Sequence, residues 1–263
     1  MFEQVDRCHY EKSPLLEVIC QLRFPTILSI SEKEPAEFQE SVRAAFPVYQ
    51  KHQDQPAPKV AGMGTANPTV QTQPPVTNYH FISEDGRWRL NLTNSFIALT
   101  CRRYDSWEEF ARMLDQALAS FIRIYEPAYF ERVGLRYMNA ISRRELGLEG
   151  ISWKDLLSPA VLGMLAEEDV QEQSVGRCTM DVDMALAGGC RLKMRSAPGM
   201  IRRAGQPEDK ETRWILDIDL STGGKVPVNQ SAPALQMLHM HATPIFRNAI
   251  TDQLHAAMEP AAL

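Results

Sequence analysis

The chain has 263 residues, 28 of them Lys or Arg and 33 Asp or Glu, for a formal net charge of −5 at pH 7. With 44% apolar and 23% charged residues it has the make-up of an ordinary folded chain. That excludes a disordered, collagen-like or polybasic nucleic-acid-coating protein. One large domain or two small ones of this length can bury a proper core.

The start, Met1-Phe2-Glu3-Gln4-Val5-Asp6, has no basic segment leading into an apolar run, so no secretory signal is expected. No stretch approaches the roughly 18 apolar residues of a membrane span. The expected compartment is the cytoplasm. Cys8, Cys20, Cys101, Cys178 and Cys190 are odd in number and widely spaced. They read as thiols rather than as a disulfide framework or a zinc knuckle.

Residues 14–24 are β-branched and aromatic and stop at Pro25, which predicts a strand. Pro35 opens a helix carrying Phe38, Val42, Ala45 and Phe46 at helical spacing, and Pro47 ends it. Residues 51–75 offer almost no large apolar side chain, so a long mobile loop is expected. In the next strands Tyr79, Phe81, Trp88, Leu90 and Leu92 alternate with polar neighbours around a two-residue Asp85-Gly86 hairpin. A third strand runs from Phe96 to about Arg103. Ser106 and Glu109 form a capping box for a helix burying Phe110, Leu114, Ala117, Leu118 and Phe121.

The same order then recurs. Tyr129 to Ile141 reads as a strand, Ser152 caps a short helix, and 175–186, 190–197 and 212–221 read as strands. A long helical region fills 232–258, with Thr243-Pro244 as a kink or a fresh start. The expectation is an α+β fold of duplicated β-α-β-β-β-α units (1–128 and 129–263), forming one compact domain. Antiparallel sheets would carry helices on one face, as in helix-grip or TATA-binding-like layouts. Leu22-Arg23-Phe24 and Leu135-Arg136-Tyr137 occupy equivalent first strands.

The acids Asp181, Asp183, Asp217 and Asp219 could converge on Mg²⁺ or Mn²⁺ as a nuclease-type site. The competing register has more behind it. A three-residue Ala187-Gly188-Gly189 turn pairs Leu186 with Cys190, Asp183 with Lys193 and Asp181 with Arg195. That makes a solvated charge ladder with Val182, Met184, Leu192 and Met194 on the apolar side. His239 and His241 lie two apart, and His9, His52, His80 and His255 are scattered. They read as ordinary surface or partly buried histidines. No nucleophile elbow or complete phosphate loop occurs. No catalytic residue, metal ligand or cofactor is assigned.

The doublets Arg102-Arg103, Arg143-Arg144 and Arg202-Arg203, with the contact-prone pair Met200-Ile201, suggest a partner-binding rim. The acidic balance disfavours nucleic acid as the partner. Arg23 and Arg136, from equivalent strands, are the candidates for a groove between sheet and helix.

Three stretches, Pro14-Leu-Leu-Glu-Val-Ile-Cys-Gln-Leu-Arg-Phe24, Arg136-Tyr-Met-Asn-Ala-Ile141 and Leu238-His-Met-His-Ala-Thr-Pro-Ile-Phe-Arg-Asn-Ala-Ile-Thr-Asp252, carry a resemblance. Together they resemble a family of sporadically distributed prokaryotic proteins of about this length, without an assigned activity. The resemblance implies mobile or defence-related loci, CRISPR-type loci among them. The expected function is that of a non-enzymatic accessory or regulatory protein binding a protein partner. The alternatives are a small-molecule or nucleotide sensor, a nucleic-acid-binding module and, last, the metal-dependent nuclease.

Overall fold

The computed structural model describes residues 2, 5–61, 69–202 and 209–262. After β1 (Cys8–Tyr10), β2 (Leu15–Arg23) alternates buried Val18, Cys20 and Leu22 with outward Ile19, Gln21 and Arg23. The short helices α1 (Leu28–Glu32) and α2 (Ala36–Val42) plug Ile30, Phe38 and Val42 into the core. Then come β3 (Val48–Asp54), β4 (Lys59–Ala61), β5 (Thr69–Gln71), β6 (Val76–Ile82), β7 (Trp88–Leu92) and β8 (Phe96–Cys101). The helix α3 (Trp107–Tyr125) closes this half. The second half runs through β9 (Arg132–Ile141), α4 (Trp153–Leu156), α5 (Pro159–Leu162), β10 (Met180–Ala185), β11 (Cys190–Gly199) and β12 (Arg213–Thr222). It ends in α6 (Ser231–Ala249), α7 (Asp252–Ala257) and β13 (Pro260–Ala262).

Nine strands form one antiparallel sheet in the order β10-β11-β12-β9-β2-β8-β7-β6-β3. The first strands of the two halves, β2 and β9, pair at its centre, Cys20 opposite Leu135. Outward from that pair each half adds its last strand first, β8 or β12, and then works back. The fold is therefore α+β, and among the described residues this large antiparallel sheet is accompanied by two two-stranded pairs, β1–β13 and β4–β5. The helices α3 and α6 cover the same sheet face. Phe121 of α3 meets Phe24 at 4.8 Å between ring centres, and α6 lies over β9 and β12. On the opposite face β9 to β12 carry a charged ladder, whereas in β6 to β8 Asn78, Asn91 and Thr100 are buried there.

The hairpin β10–β11 has the register that the charge alternation predicts: Asp181 faces Arg195, Asp183 faces Lys193, and Leu186 donates to the Cys190 carbonyl at 2.8 Å. Gly188 and Gly189 both take positive φ, 71° and 73°, which makes this tight turn accessible. The ladder continues inward. Asp219 holds Arg132 at 2.7 and 2.9 Å, and Asp217 holds Arg136 at 2.7 and 2.5 Å.

Several expectations need correction. The segment 51–75 is not simply a loop: β3 runs to Asp54, and β4 pairs with β5. The expected loop's residues 62–68 lie outside the described ones. Every residue of β3 is exposed. An edge strand can live on ladder hydrogen bonds alone, so its polar composition gives no apolar signal. The Asp85-Gly86 turn is wider than two residues, since Ser83 and Trp88 close it and only Gly86 takes positive φ. Residues 175–179 precede β10 rather than belong to it. The α6 helix continues through Pro244 and breaks at Ile250, whose extended backbone bridges to Leu157. Thr251 then caps α7, accepting from the Leu254 N–H. The Ser152 side chain makes no cap. Glu172 accepts the Trp153 N–H instead, at 3.1 Å. Ser106 does accept from the Glu109 N–H, but the Glu109 carboxylate turns to Arg87 rather than back to the cap.

Candidate functional site

The α6 helix buries Leu235, Leu238, Ala242, Ile245 and Ala249, a stripe at helical spacing that lies on the sheet. His239 sits beside this stripe and is drawn in with it, 6% exposed. Its ring stacks on Trp107, the first residue of α3, with centres 4.2 Å apart and planes 6° from parallel. Its Nδ1 is 2.8 Å from the Tyr137 hydroxyl on β9. Trp107 is itself fixed from α6, donating its indole N–H to Gln236 at 2.8 Å. Two helices and the central sheet thus converge on one imidazole.

These residues form part of the wall of a cavity of about 500 Å³. Ala242, Thr243 and Phe246 extend the wall along α6, and Tyr104 and Leu15 close it on the strand side. The outer wall is the two-stranded ribbon of β1 and β13, paired His9 to Ala261. A second phenol–imidazole pair lies there: the Tyr10 hydroxyl is 2.8 Å from His255 Nδ1. Apolar and aromatic surface predominates in the lining, but Asp6, Arg7, Asp105, Asn139 and Arg247 also contribute to it, a mixture that a small-molecule site can have.

The electrostatics keep this site neutral. Burial, helped by the Arg7 charge, holds the His239 imidazole down at about 4, so it is uncharged at pH 7. Burial also pushes the Tyr137 phenol well above its ordinary range. Which of the two groups donates in this bond follows from the imidazole tautomer. The other ring nitrogen, Nε2, is buried and has no hydrogen-bond partner among the described residues. Both arginines of the wall are already matched, Arg7 by Glu108 at 3.2 Å and Arg247 by Asp252.

The residues expected to carry function sit elsewhere. Arg23 and Arg136 do not line a groove under the helices. In a strand, alternate side chains face opposite sides. Leu22 and Leu135 are the buried ones, which places the two arginines on the opposite face, with Arg136 held by Asp217. The strand directions do bring Arg102-Arg103, Arg143-Arg144 and Met200–Arg202 to one end of the sheet, after β8, β9 and β11. Most of their charge is matched, however. Arg103 pairs with Asp85 at 2.6 Å, Arg143 with Glu172 at 2.8 Å, and Arg144 with Asp209 at 3.2 Å. Arg203 lies outside the described residues. Asp181, Asp183, Asp217 and Asp219 share the face away from the helices, but the basic β11 separates them into two pairs. Among the described residues no group of three or more His, Cys, Asp or Glu could hold a metal ion, and no helix is long and apolar enough to cross a membrane.

Tyr137, His239, Trp107 and Tyr10 are what sequence reasoning missed. One signal was available: His239 stands four residues after Leu235 and three before Ala242, beside the apolar stripe. The partnership with Tyr137 spans 102 positions and has no local signature. The chain matches no protein-family model and no curated protein.

Proposed function

We propose that this protein is a non-enzymatic small-molecule-binding module whose ligand occupies the cavity between α6, the centre of the sheet and the β1–β13 ribbon. One observation carries the reading: a cavity of about 500 Å³ whose wall is largely apolar and aromatic, with Trp107, Tyr137, His239 and Phe246 contributing to it. That volume is about three times the ~150 Å³ that accommodates benzene in an engineered apolar cavity. The matching strand order of the two halves supports their reading as a duplication. The accessory role, docking a protein partner in a prokaryotic defence-type system, is the second reading. It rests on Met200, 54% exposed just beyond β11. It ranks second because the arginines around that end are largely matched by acids.

The test is a ligand-induced shift in thermal unfolding. A bicyclic aromatic probe, 2-naphthamide, at ten times its dissociation constant is expected to raise Tm by about 3 °C. Ala242→Phe projects a ring into the cavity and is expected to abolish that shift while unfolding cooperatively itself. No shift in the parent protein, or an equal shift in the variant, would refute the proposal.

A further inference from the structure

Resting on that reading, we infer that the ligand is a flat, largely apolar ring system carrying an N–H donor, and that Asn139 Oδ1 on β9 is the acceptor that selects it. Three features of the cavity lead there.

The first is an acceptor left free. Asn139 stands two residues beyond Tyr137, on the same face of β9. It lines the cavity and is 3% exposed. Its Nδ2–H donates to the Leu216 carbonyl at 3.1 Å. A carbonyl only accepts, so the amide is oriented with its nitrogen toward Leu216 and its oxygen turned away. The residues opposite it on the two flanking strands, Leu15 and Leu216, have no side-chain donor to offer. Oδ1 accepts from no described group, and it is not one of the sealed-off polar atoms of the interior, as His239 Nε2 is. An oxygen that is neither partnered nor sealed keeps some surface, and in a wall residue this buried that surface faces the cavity. Nearly all buried polar groups in folded proteins have partners, so an exception on a cavity wall marks where a bound molecule supplies one.

The second is charge. Arg7 and Arg247 are each paired with a carboxylate. The carboxylates of Asp6 and Asp105, also on the wall, have no ion-pair partner among the described residues. The wall therefore presents acceptors and, among the described residues, no unmatched arginine or lysine. An N–H donor suits that balance, and an anionic ligand does not.

The third is shape. Trp107, Tyr104, Tyr137 and Phe246 all contribute to the wall. Tyr104 stands edge-on to Tyr137 with ring centres 6.1 Å apart, and Tyr10 edge-on to Phe246 at 5.9 Å. Aromatic walls reward flat rings through offset and edge contacts.

Two isosteres test the donor. 2-Naphthamide and 2-acetylnaphthalene share the ring and the carbonyl and differ only in an amino group against a methyl. 2-Naphthoate tests the charge. Each is titrated against the full chain by ligand-observed NMR. The amide is expected to bind about tenfold tighter than the ketone, which leaves Oδ1 without a donor, and the carboxylate is expected to bind most weakly. In Asn139→Leu, close in volume and without an acceptor, the ketone is expected to keep its affinity and the amide to fall to the same value. Asn139→Val, which suits a strand, gives the same test if the leucine variant no longer unfolds cooperatively. A ketone that binds as tightly as the amide in the parent protein would overturn the donor assignment, as would a tenfold gap that survives the loss of Oδ1; the cavity would remain a ligand site in either case. Tightest binding by the carboxylate would overturn the charge argument. If none of the three binds, the assignment and the cavity reading fall together.

Discussion

Trp214→Ala is expected to destabilise the fold by about 3–5 kcal/mol, the usual range for removing a large buried aromatic. Trp214 is 1% exposed in the second strand from the sheet's centre. Its ring packs on Trp153 at 5.4 Å. Its indole N–H donates to Ser196 Oγ at 2.8 Å, and that hydroxyl donates to the Val161 carbonyl at 2.7 Å. One side chain thus ties β12, β11, α4 and α5 together. Trp214→Phe keeps much of the packing but gives up the indole bond, and is expected to cost markedly less. Urea denaturation should show a lower midpoint with an unchanged slope. A loss under about 1 kcal/mol for the alanine variant would contradict this view of the core.

Arg213→Ala is expected to cost about 3 kcal/mol, the lower end of the range for breaking a buried ion pair by removing one partner. The guanidinium is 9% exposed and lies among Glu145, Asp209 and Glu211, at 2.9, 3.0 and 3.3 Å. Glu211 is nearly as buried and, without Arg213, keeps among the described residues Arg144 at 3.4 Å as its counter-charge. Glu145 extends into solvent and can relax, which sets the lower figure. Adding Glu211→Gln to Arg213→Ala should recover part of the loss, because the orphaned charge is then gone. Additive losses in the double variant would show that the two side chains do not act as a pair.

How much of this was legible in the sequence depended on whether the information was local. The β10–β11 register could be read to the residue, because alternating Asp and Lys/Arg on facing strands admit few satisfactory pairings and the Gly pair marks the turn. The stripes of α3 and the alternation of β2 and β9 were equally plain, since each element buries one face. The edge strand β3 was hidden because all its residues stay largely exposed. The ribbon of β1 and β13 was hidden for another reason: its strands are three residues long and come from opposite ends of the chain. The break at Ile250 is set by a bridge to Leu157, whereas the helix-breaking Pro244 is absorbed within α6.

The candidate site was the least legible part. Arg23 and Arg136 attracted attention because a charged residue in a strand is conspicuous, yet the alternation that makes them conspicuous also turns them away from the helices. His239 looked ordinary because a lone histidine on a helix usually is. Its position became informative only once α6 lay on β9, where the buried stripe carries it against Tyr137 and Trp107.

Isotope-edited NMR of the labelled protein bound to 2-naphthamide places the probe atom by atom. Cross-peaks are expected from the naphthalene protons to the methyls of Ala242 and Thr243, which line the cavity, and to the His239 ring. Cross-peaks confined to exposed positions such as Met200 or Met164 would contradict binding in the cavity.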